Sequence, residues 1–243
     1  MRADIHERTR LLLGDEKLNK LATSHVLVAG LGGVGSFAAE AIARAGIGKI
    51  TLVDHDLIDP SNINRQLLAL HSTINQPKSE VMATRIGDIN PEITLISRQD
   101  FLKPDSIEEI LEGQDFSFVI DCIDSITSKA ALVVNCQLKS LPIISAMGAG
   151  GRTDVSKVQI SKLGKTHTCP LAREMRKQLK KLDGNLDTPV VFSTEIPVKG
   201  TEHKPSGKDG KGRPRSVNGT ISYLPGLFGL MMAGYVIENL VNQ

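Results

Sequence analysis

The chain has 243 residues, a length that suits one large α/β domain or two smaller domains. Hydrophobic residues make up 40% of it and charged residues 23%, which excludes fibrous, low-complexity and disordered classes. A formal charge of +2 excludes nucleic-acid binding through the whole surface, and an aromatic content of 3% argues against recognition by stacking of single-stranded bases.

The first 55 residues predict a β-α-β unit. Leucines at roughly helical spacing indicate one helix, or two helices broken at Gly14, over Ile5–Leu21. Apolar runs at His25–Ala29 and Lys49–Asp54 predict strands, and the segment between them has helix-forming composition and ends at Gly46. The expected fold is therefore α/β, a Rossmann-like, doubly wound and mostly parallel sheet with helices on both faces.

The same alternation continues along the chain, although it loosens beyond Gly151. Helices are expected at Lys78–Asn90, Pro104–Leu111, Ser128–Lys139 and Pro170–Leu182, and strands at Ile93–Ser97, Phe118–Asp121, Pro142–Ala146, Lys157–Leu163 and Pro189–Ser193. This pattern predicts a nucleotide-binding domain over residues 1–151, with an N-terminal helix, and a C-terminal extension over residues 152–243.

Two segments of the extension differ from the rest. Lys199–Arg215 is rich in glycine, proline and basic residues and has no large apolar residue, which predicts a flexible loop. Ser216–Ile237 is uncharged and long enough to cross a bilayer, but polar residues, glycine and proline dilute its first half. We expect a buried helix at Gly226–Leu240 and no membrane association.

The cysteines and the N-terminus indicate the cellular compartment. Cys122, Cys136 and Cys169 are an odd number without a CxxC pair, which excludes a disulfide framework and a cysteine-rich zinc site. Met1–Arg10 is polar and charged, with no apolar run after it, so no secretory signal is expected. The sequence therefore predicts a cytoplasmic protein with reduced thiols.

A glycine-rich motif lies between the first strand and the next helix. It has the GxGxxG pattern and consists of Gly30, Gly32, Gly33 and Gly35 with Leu31 and Val34 between them. Such a loop lets a phosphate approach the backbone and the N-terminus of the helix, although a purely structural turn is the alternative. Asp54, at the end of the second strand, is placed to bind a ribose.

A dense polar stretch follows the second strand. It contains Asp56, Ser61, Asn62, Asn64, Arg65 and Gln66. Arg65 and Lys78 could supply two cations to the β- and γ-phosphates of a nucleoside triphosphate, whereas a dinucleotide needs no such set. The alternative for Lys78 is an ordinary solvated lysine.

Two carboxylates follow the strand that ends near Asp121. Asp121 and Asp124 beside a phosphate site suggest a magnesium position, because Mg²⁺ prefers a few carboxylates together with phosphate oxygens. Equally, Asp124 or Ser125 could simply cap the helix that begins near Thr127.

In combination these motifs resemble the ubiquitin-activating-enzyme-like superfamily, the group of ThiF, MoeB and HesA, whose members adenylate a carboxylate with ATP. The motifs that carry the resemblance are Arg8, GLGGVG at Gly30–Gly35, VDHD at Val53–Asp56, SNINRQ at Ser61–Gln66, QPK at Gln76–Lys78 and DCIDS at Asp121–Ser125. They lie within about Ile5–Ser145, well over half of the chain.

The resemblance implies roles for these residues. Asp54 would bind the ribose, Asn62, Arg65 and Lys78 the phosphates, and Asp124 a magnesium ion. Arg8 would reach the nucleotide of a neighbouring subunit, which implies a homodimer. The expected catalytic residues are Arg8, Arg65, Lys78 and Asp124, and the expected ATP-binding residues are Gly30, Gly32, Gly33, Gly35, Asp54, Asp56, Ser61, Asn62, Asn64, Gln66 and Ser125.

Three later segments are similar to one branch of this superfamily, the tRNA threonylcarbamoyladenosine dehydratases. They are Met147–Gly150, Cys169–Lys181 and Val190–Glu195. Activators of carrier proteins usually have two CxxC pairs and often a later catalytic cysteine, which this chain lacks. The resemblance therefore implies ATP-dependent cyclisation of threonylcarbamoyladenosine in tRNA through an acyl adenylate, with a sulfur-transfer protein as a possible partner.

Two basic segments are candidates for contact with tRNA phosphates. The helix at Pro170–Leu182 carries Arg173, Arg176, Lys177, Lys180 and Lys181 against one acidic residue, and Lys199–Arg215 is also basic. A solvated helix face and a disordered loop are the alternatives. The remaining rival functions are an activator of a ubiquitin-like or sulfur-carrier protein, a non-catalytic binding module and an NAD-dependent dehydrogenase.

Overall fold

A computed structural model describes residues 5–203 and 215–242 of the chain. Seven strands form the main sheet: β1 (His25–Ala29), β2 (Lys49–Val53), β3 (Thr94–Arg98), β4 (Phe118–Asp121), β5 (Ile143–Ala146), β6 (Val158–Lys162) and β7 (Pro189–Ser193). Their order is β3-β2-β1-β4-β5-β7-β6. Every neighbouring pair is parallel except β6 with β7.

Eight helices accompany these strands in the part of the chain that the structure describes. They are α1 (Glu7–Leu13), α2 (Asp15–Thr23), α3 (Gly35–Ala45), α4 (Lys78–Ile89), α5 (Pro104–Leu111), α6 (Ile126–Leu138), α7 (Pro170–Lys181) and α8 (Leu224–Asn242). The expected Rossmann-like α/β fold is confirmed. The break at Gly14 is present, where a positive φ of 81° separates α1 from α2.

Two hydrophobic cores lie on opposite faces of the sheet. Side chains of α3, α4 and α8 fill one core, and those of α5, α6 and α7 fill the other. All five residues of β1 are buried, because a central parallel strand is covered by helices on both sides. This accounts for the unbroken apolar run in the sequence of β1.

The C-terminal half adds to the same sheet. The first strand of the extension, β6, lies at the edge, and β7 pairs in parallel with β5, so the boundary expected at residues 151 and 152 falls within one continuous sheet. Helix α8 packs against α3, and a Cβ at Gly229 would lie 2.3 Å from the Val34 carbonyl oxygen. The two expected domains therefore share one continuous β-sheet.

The segment expected to be a flexible loop, Lys199–Arg215, contains one short strand and the first residue of another. β8 (Thr201–His203) and β9 (Arg215–Val217) pair as an antiparallel hairpin. Residues 204–214 lie outside the described residues. The short strands were missed because the glycines and prolines between them dominate the composition of the segment.

Helix α8 is, among the described residues, the one helix long and apolar enough to cross a membrane by length and composition. Its buried side chains, Phe228, Met232 and Val236 among them, belong to the core that it shares with α3. Packing of this kind is typical of a core helix, and the buried helix expected at Gly226–Leu240 is present within slightly wider limits.

Candidate active site

A cavity of about 700 Å³ opens at the carboxyl ends of the central strands. Its walls come from the loops after β1, β2, β3, β4 and β5, together with residues near the start of α8. The strand order reverses between β1 and β4, and open α/β sheets bind their ligands at such a switch point. We call this space the central cavity.

The loop after β1 brings the backbone close to the cavity. Gly30 has a φ of +88°, and a Cβ there would lie 2.9 Å from the carbonyl oxygen of Cys122. A Cβ at Gly35 would lie 1.8 Å from the carbonyl oxygen of Gly30, so only glycine fits. Gly30, Gly32 and Gly33 line the cavity, whereas Gly35 lies behind them as the first residue of α3. The motif thus sets the turn and presents a helix N-terminus to an anion.

Asp54 is a buried carboxylate that organises two loops. Its Oδ2 accepts the Leu31 N–H at 2.6 Å, and its Oδ1 accepts the Asp56 N–H at 2.8 Å. The side chain lines the cavity and has acceptor capacity left, because each carboxylate oxygen carries two lone pairs. Its position at the end of β2 is the one in which a carboxylate can hold a ribose.

Lys78 is the first residue of α4 and is only 4% exposed. Its Nζ lies 2.7 Å from Asp56 Oδ2, and both residues line the central cavity. Burial rules out the ordinary solvated lysine that the sequence left open. A buried ammonium at a helix N-terminus is unfavourable with only a half-exposed partner, and a phosphate group in the cavity would improve its environment.

Arg65 lines the cavity next to Asn62 and Gln66. One guanidinium nitrogen, Nη1, donates to the Ser61 carbonyl oxygen at 3.0 Å and to Asn64 Oδ1 at 2.8 Å. These two bonds fix the orientation of the guanidinium group through Nη1 and leave its other N–H donors available to a ligand. Gln66 is buried, and its Oε1 has no hydrogen-bond partner among the described residues.

Besides Gly35, two residues expected to bind ATP do not line the central cavity. Ser61 donates its backbone N–H to Asp59 Oδ1 as part of a helix cap. Asn64 donates through Nδ2 to the Thr220 carbonyl oxygen at 2.9 Å. Both residues therefore support the loop of Arg65, and the ATP contacts expected for them stay predictions. Sequence spacing could not reveal this, because Thr220 is 156 residues away from Asn64.

The two carboxylates at the carboxyl end of β4, Asp121 and Asp124, have separate environments. Asp121 is fully buried and pairs with Lys129 Nζ at 2.7 Å, and Ser145 Oγ also donates to it. Asp124 is exposed and lines the cavity. Asp121 therefore belongs to a structural ion pair, which removes it from the magnesium pair that the sequence suggested.

The alternative of a helix cap in the β4–α6 turn can also be tested. Ser125 occupies the N-cap position of α6 without a capping hydrogen bond from its side chain, and it lines the cavity. Asp124 precedes that position. Both residues therefore remain available to a ligand.

Several cavity residues carried no recognised signal in the sequence. His55 and Phe101 stack edge to face with their ring centroids 4.5 Å apart, and both line the cavity. His55 also lies in a cluster with Asp54 and Asp56 whose ligand atoms are within 4.8 Å of one another. Because Asp56 already pairs with Lys78, this cluster is a poorer cation site than an unpaired carboxylate.

Arg8 lies outside the central cavity. It is an exposed residue of α1, a helix without a single buried residue. Leu11 and Leu12 on the same helix are 82% and 83% exposed. Within one chain, Arg8 therefore completes no part of the site.

The basic side chains of α7 are less uniform than their sequence suggested. Lys177 Nζ lies 3.0 Å from Glu174 Oε1, and Arg173 Nε lies 3.5 Å from the same oxygen. Arg176 donates to the carbonyl and hydroxyl oxygens of Thr166. Lys180 and Lys181 are exposed, and the described part of the chain offers them no ion pair. These two are the better candidates for a phosphate contact.

Cys122 and Cys136 are poor candidates for a nucleophile. Burial raises the pKa of Cys136 to about 12 and raises the pKa of Cys122 even further. A thiol that stays protonated at neutral pH is a weak nucleophile.

The fold and the cavity are those of a nucleotide-binding α/β protein, with a glycine loop and two cations at the switch point of the sheet. The ThiF family model matches residues 6–243, and the chain belongs to this family. It is 42% identical over 244 residues to the tRNA threonylcarbamoyladenosine dehydratase of Bacillus subtilis (strain 168), covering 97% of this chain and 94% of that protein.

Two further comparisons point the same way. The chain is 43% identical over 197 residues to the protein of the same name from Escherichia coli (strain K12), covering 78% of this chain and 73% of that protein. The solved structure of E. coli tRNA N6-threonylcarbamoyladenosine dehydratase in complex with ATP superposes with a TM-score of 0.85 at 36% identity, over 97% of this chain and 93% of that one.

Proposed function

We propose that this protein is an enzyme that uses ATP to dehydrate and cyclise threonylcarbamoyladenosine in tRNA through an acyl adenylate, releasing AMP and pyrophosphate. The observation that carries the proposal is a cavity with two cations, Arg65 and Lys78, beside a glycine loop, in a chain that matches named dehydratases over nearly its whole length. A related structure has been solved with ATP bound.

The first step activates a carboxylate, which by itself does not expel hydroxide. The threonyl carboxylate attacks the α-phosphorus of ATP, the new C–O–P linkage forms, and pyrophosphate leaves. Lys78 and Arg65 neutralise charge on the phosphates, and the backbone after β1 holds them in place. Asp54 holds the ribose and so fixes the position of the α-phosphorus.

The second step is intramolecular. A nitrogen of the same side chain attacks the acyl carbon and AMP departs, so that water is lost overall. Positioning supplies much of the acceleration, and no nucleophile from the enzyme is required. The raised pKa values of Cys122 and Cys136 agree with such a mechanism.

Magnesium is proposed at Asp124. Its exposed carboxylate lines the same cavity as Arg65 and Lys78, and Mg²⁺ combines one or two carboxylates with phosphate oxygens. The ion would offset phosphate charge during adenylation. Asp121 is excluded from this role by its pair with Lys129.

The partners and the compartment are also proposals. The exposed α1 with Leu11 and Leu12 supports a homodimer in which Arg8 reaches the partner's nucleotide. Exposed Lys180 and Lys181 support contact with tRNA. A sulfur-transfer protein partner and a cytoplasmic location follow from the sequence resemblance and from the cysteine content.

The rival function is adenylation of a ubiquitin-like or sulfur-carrier protein, which shares the first half-reaction. Pyrophosphate release would be measured in parallel with tRNA carrying threonylcarbamoyladenosine, with tRNA lacking it and with a candidate carrier protein. We expect release with the modified tRNA alone. Release with the carrier alone would establish the rival, and ATP binding without any release would establish a non-catalytic binding module.

A further inference from the structure

A buried cation lies behind the cavity loop that follows β5. Arg152 is 4% exposed, its Nη1 donates to the carbonyl oxygens of Gly148 and Gly150, and its Nε donates to the carbonyl oxygen of Glu195 at 2.9 Å. All these acceptors are neutral, and no carboxylate within residues 5–203 and 215–242 forms an ion pair with Arg152. Its Nη2 is buried without a partner among the same residues. Such an arrangement is costly, and it suggests a functional role.

The loop above Arg152 offers backbone donors to the cavity. Met147 N–H donates to Val191 O at 2.8 Å and Gly151 N–H donates to Gly219 O at 2.7 Å, so both ends of the loop are tied. Between them, the N–H groups of Gly148, Ala149 and Gly150 have no acceptor among the described residues, and all three residues line the cavity. Because Arg152 binds the Gly148 carbonyl, it polarises that peptide group and strengthens the Ala149 N–H as a donor.

The strand order places this loop on the side of the cavity away from Asp54. Asp54 follows β2, the glycine loop follows β1, Asp124 follows β4 and Met147–Gly150 follows β5. A nucleotide with its ribose at Asp54 and its phosphates over the glycine loop therefore runs toward Met147–Gly150. An acyl group attached to the α-phosphate lies on that side.

We propose that the Met147–Gly150 loop binds the acyl carbonyl oxygen of the adenylate, and that Arg152 positions and polarises this loop. The inference rests on the proposed function. When the substrate nitrogen forms its bond to the acyl carbon, the carbonyl π pair moves to oxygen, and the proton on nitrogen passes to water. The pair then returns, the bond from carbon to the phosphate oxygen breaks, and AMP leaves. Arg152 is a positioning residue that acts through the backbone.

The test compares a stable acyl-adenylate mimic, 5′-O-(N-threonylsulfamoyl)adenosine, with 5′-O-sulfamoyladenosine, which lacks the acyl group. Wild-type protein should prefer the acyl compound, and Arg152→Gln should reduce that preference by about 10-fold at most, because it weakens a hydrogen bond to a ground-state carbonyl and one such bond contributes about that factor. Affinity for sulfamoyladenosine should not change. Arg152→Lys, which keeps the charge, should recover part of the preference. An unchanged preference in Arg152→Gln would overturn the proposal.

Glu195→Gln is the matched control. The Glu195 carboxylate accepts the N–H groups of Thr153 and Asp154, next to Arg152 in the chain, while Arg152 uses only the Glu195 backbone carbonyl. This variant should keep the preference, and a reduction equal to that of Arg152→Gln would mean that general loosening of the segment is responsible.

If Arg152→Gln protein does not fold, a measurement on wild-type protein alone still tests the proposal. An analogue with CH₂ in place of the acyl C=O should bind about 10-fold more weakly than the acyl sulfamate, about the contribution of one hydrogen bond, and equal affinities would refute a carbonyl-binding loop. Pyrophosphate release with modified tRNA separates the two hypotheses. Pyrophosphate release without a preference for the acyl compound would keep the proposed function and refute the role of the loop. A preference for the acyl compound without pyrophosphate release would keep the role of the loop and refute the proposed function.

Discussion

At the scale of single residues, the role of a buried charged side chain at the central cavity depends on how exposed its ion-pair partner is. Lys78 and Asp121 are both buried, yet their partners differ. Lys78 pairs with the half-exposed Asp56 at the cavity wall, whereas Asp121 pairs with the fully buried Lys129 beneath it. A ligand in the cavity can replace Asp56 as the partner of Lys78, whereas the pair of Asp121 and Lys129 belongs to the buried interior of the fold.

Replacing Lys78 by Ala should lower adenylation by about 10² or more, because one preorganised charge stabiliser is removed. Arg65→Ala should behave in the same way. Folding should survive, since Asp56 is half exposed and can be hydrated. Pyrophosphate release and thermal unfolding would be measured together, with Lys139→Ala on the surface as the control. Wild-type turnover in folded Lys78→Ala protein would remove this lysine from the site.

Asp124→Asn should weaken magnesium-dependent turnover more than ATP binding, because the ribose and phosphate donors lie on other loops. The readout is the magnesium concentration for half-maximal rate. Asp121→Asn is the contrasting variant, since breaking a buried ion pair should cost about 3–5 kcal/mol of unfolding free energy. If Asp124→Asn left the magnesium dependence unchanged, the metal role of Asp124 would be refuted.

His25 should make stability depend on pH. Burial lowers the pKa of His25 despite its bond to Asp115, so the unfolded chain binds the proton more tightly than the folded one. The free energy of unfolding should therefore fall as pH drops below 6.5, the ordinary value of histidine. Denaturant titrations at pH values of about 8, 6 and 5 should show a flatter profile for His25→Gln, while His71→Gln at an exposed site should follow the wild type.

At the scale of elements, helix α7 shows how one side-chain pattern serves two purposes. Ala172, Met175 and Leu179 face the core, and the polar face carries the basic residues. Arg176 is used internally, because it holds Thr166 in the turn before the helix. The net charge of the segment therefore overstates the number of cations available to RNA.

Lys180→Ala with Lys181→Ala should reduce the salt dependence of tRNA binding. The log–log slope should fall by about 0.7–0.9 for each phosphate that the variant no longer neutralises, with ATP affinity unchanged. The control is the pair Lys17→Ala and Lys20→Ala on α2, which packs on the opposite core. Identical slopes for wild type and the α7 variant would mean that this helix face is merely solvated.

At the scale of the whole molecule, the proposed dimer decides the role of Arg8, because within one chain this residue lies outside the central cavity. Mixing two inactive variants tests whether Arg8 acts on the site of its partner subunit. Arg8→Ala and Lys78→Ala should each be nearly inactive alone, but mixed dimers should contain one site with both residues intact. Random exchange of subunits would then restore about a quarter of the wild-type rate. If unfolding and refolding the mixture together restored no activity, Arg8 would not act across an interface.

The sequence by itself determined the fold class and most strand positions, and most of its candidate site residues lie together at the central cavity. These follow from local patterns, namely apolar runs, a glycine motif and polar residues just after strands, which depend on neighbours in the chain. The resemblance to dehydratases rested on such motifs and was confirmed by the family match and by the similarity to named dehydratases.

Only the tertiary structure decided which polar residues face the cavity and which support it. Asn64 bonds to Thr220, Asp121 to Lys129 and Ser145, and Arg152 to Glu195, and three of these four links join residues at least 24 positions apart in the chain. Motif spacing cannot distinguish a ligand-binding amide or carboxylate from one that holds a loop, because the two differ only in what packs around them. The hydrogen-bond partners brought together by the sheet make that distinction.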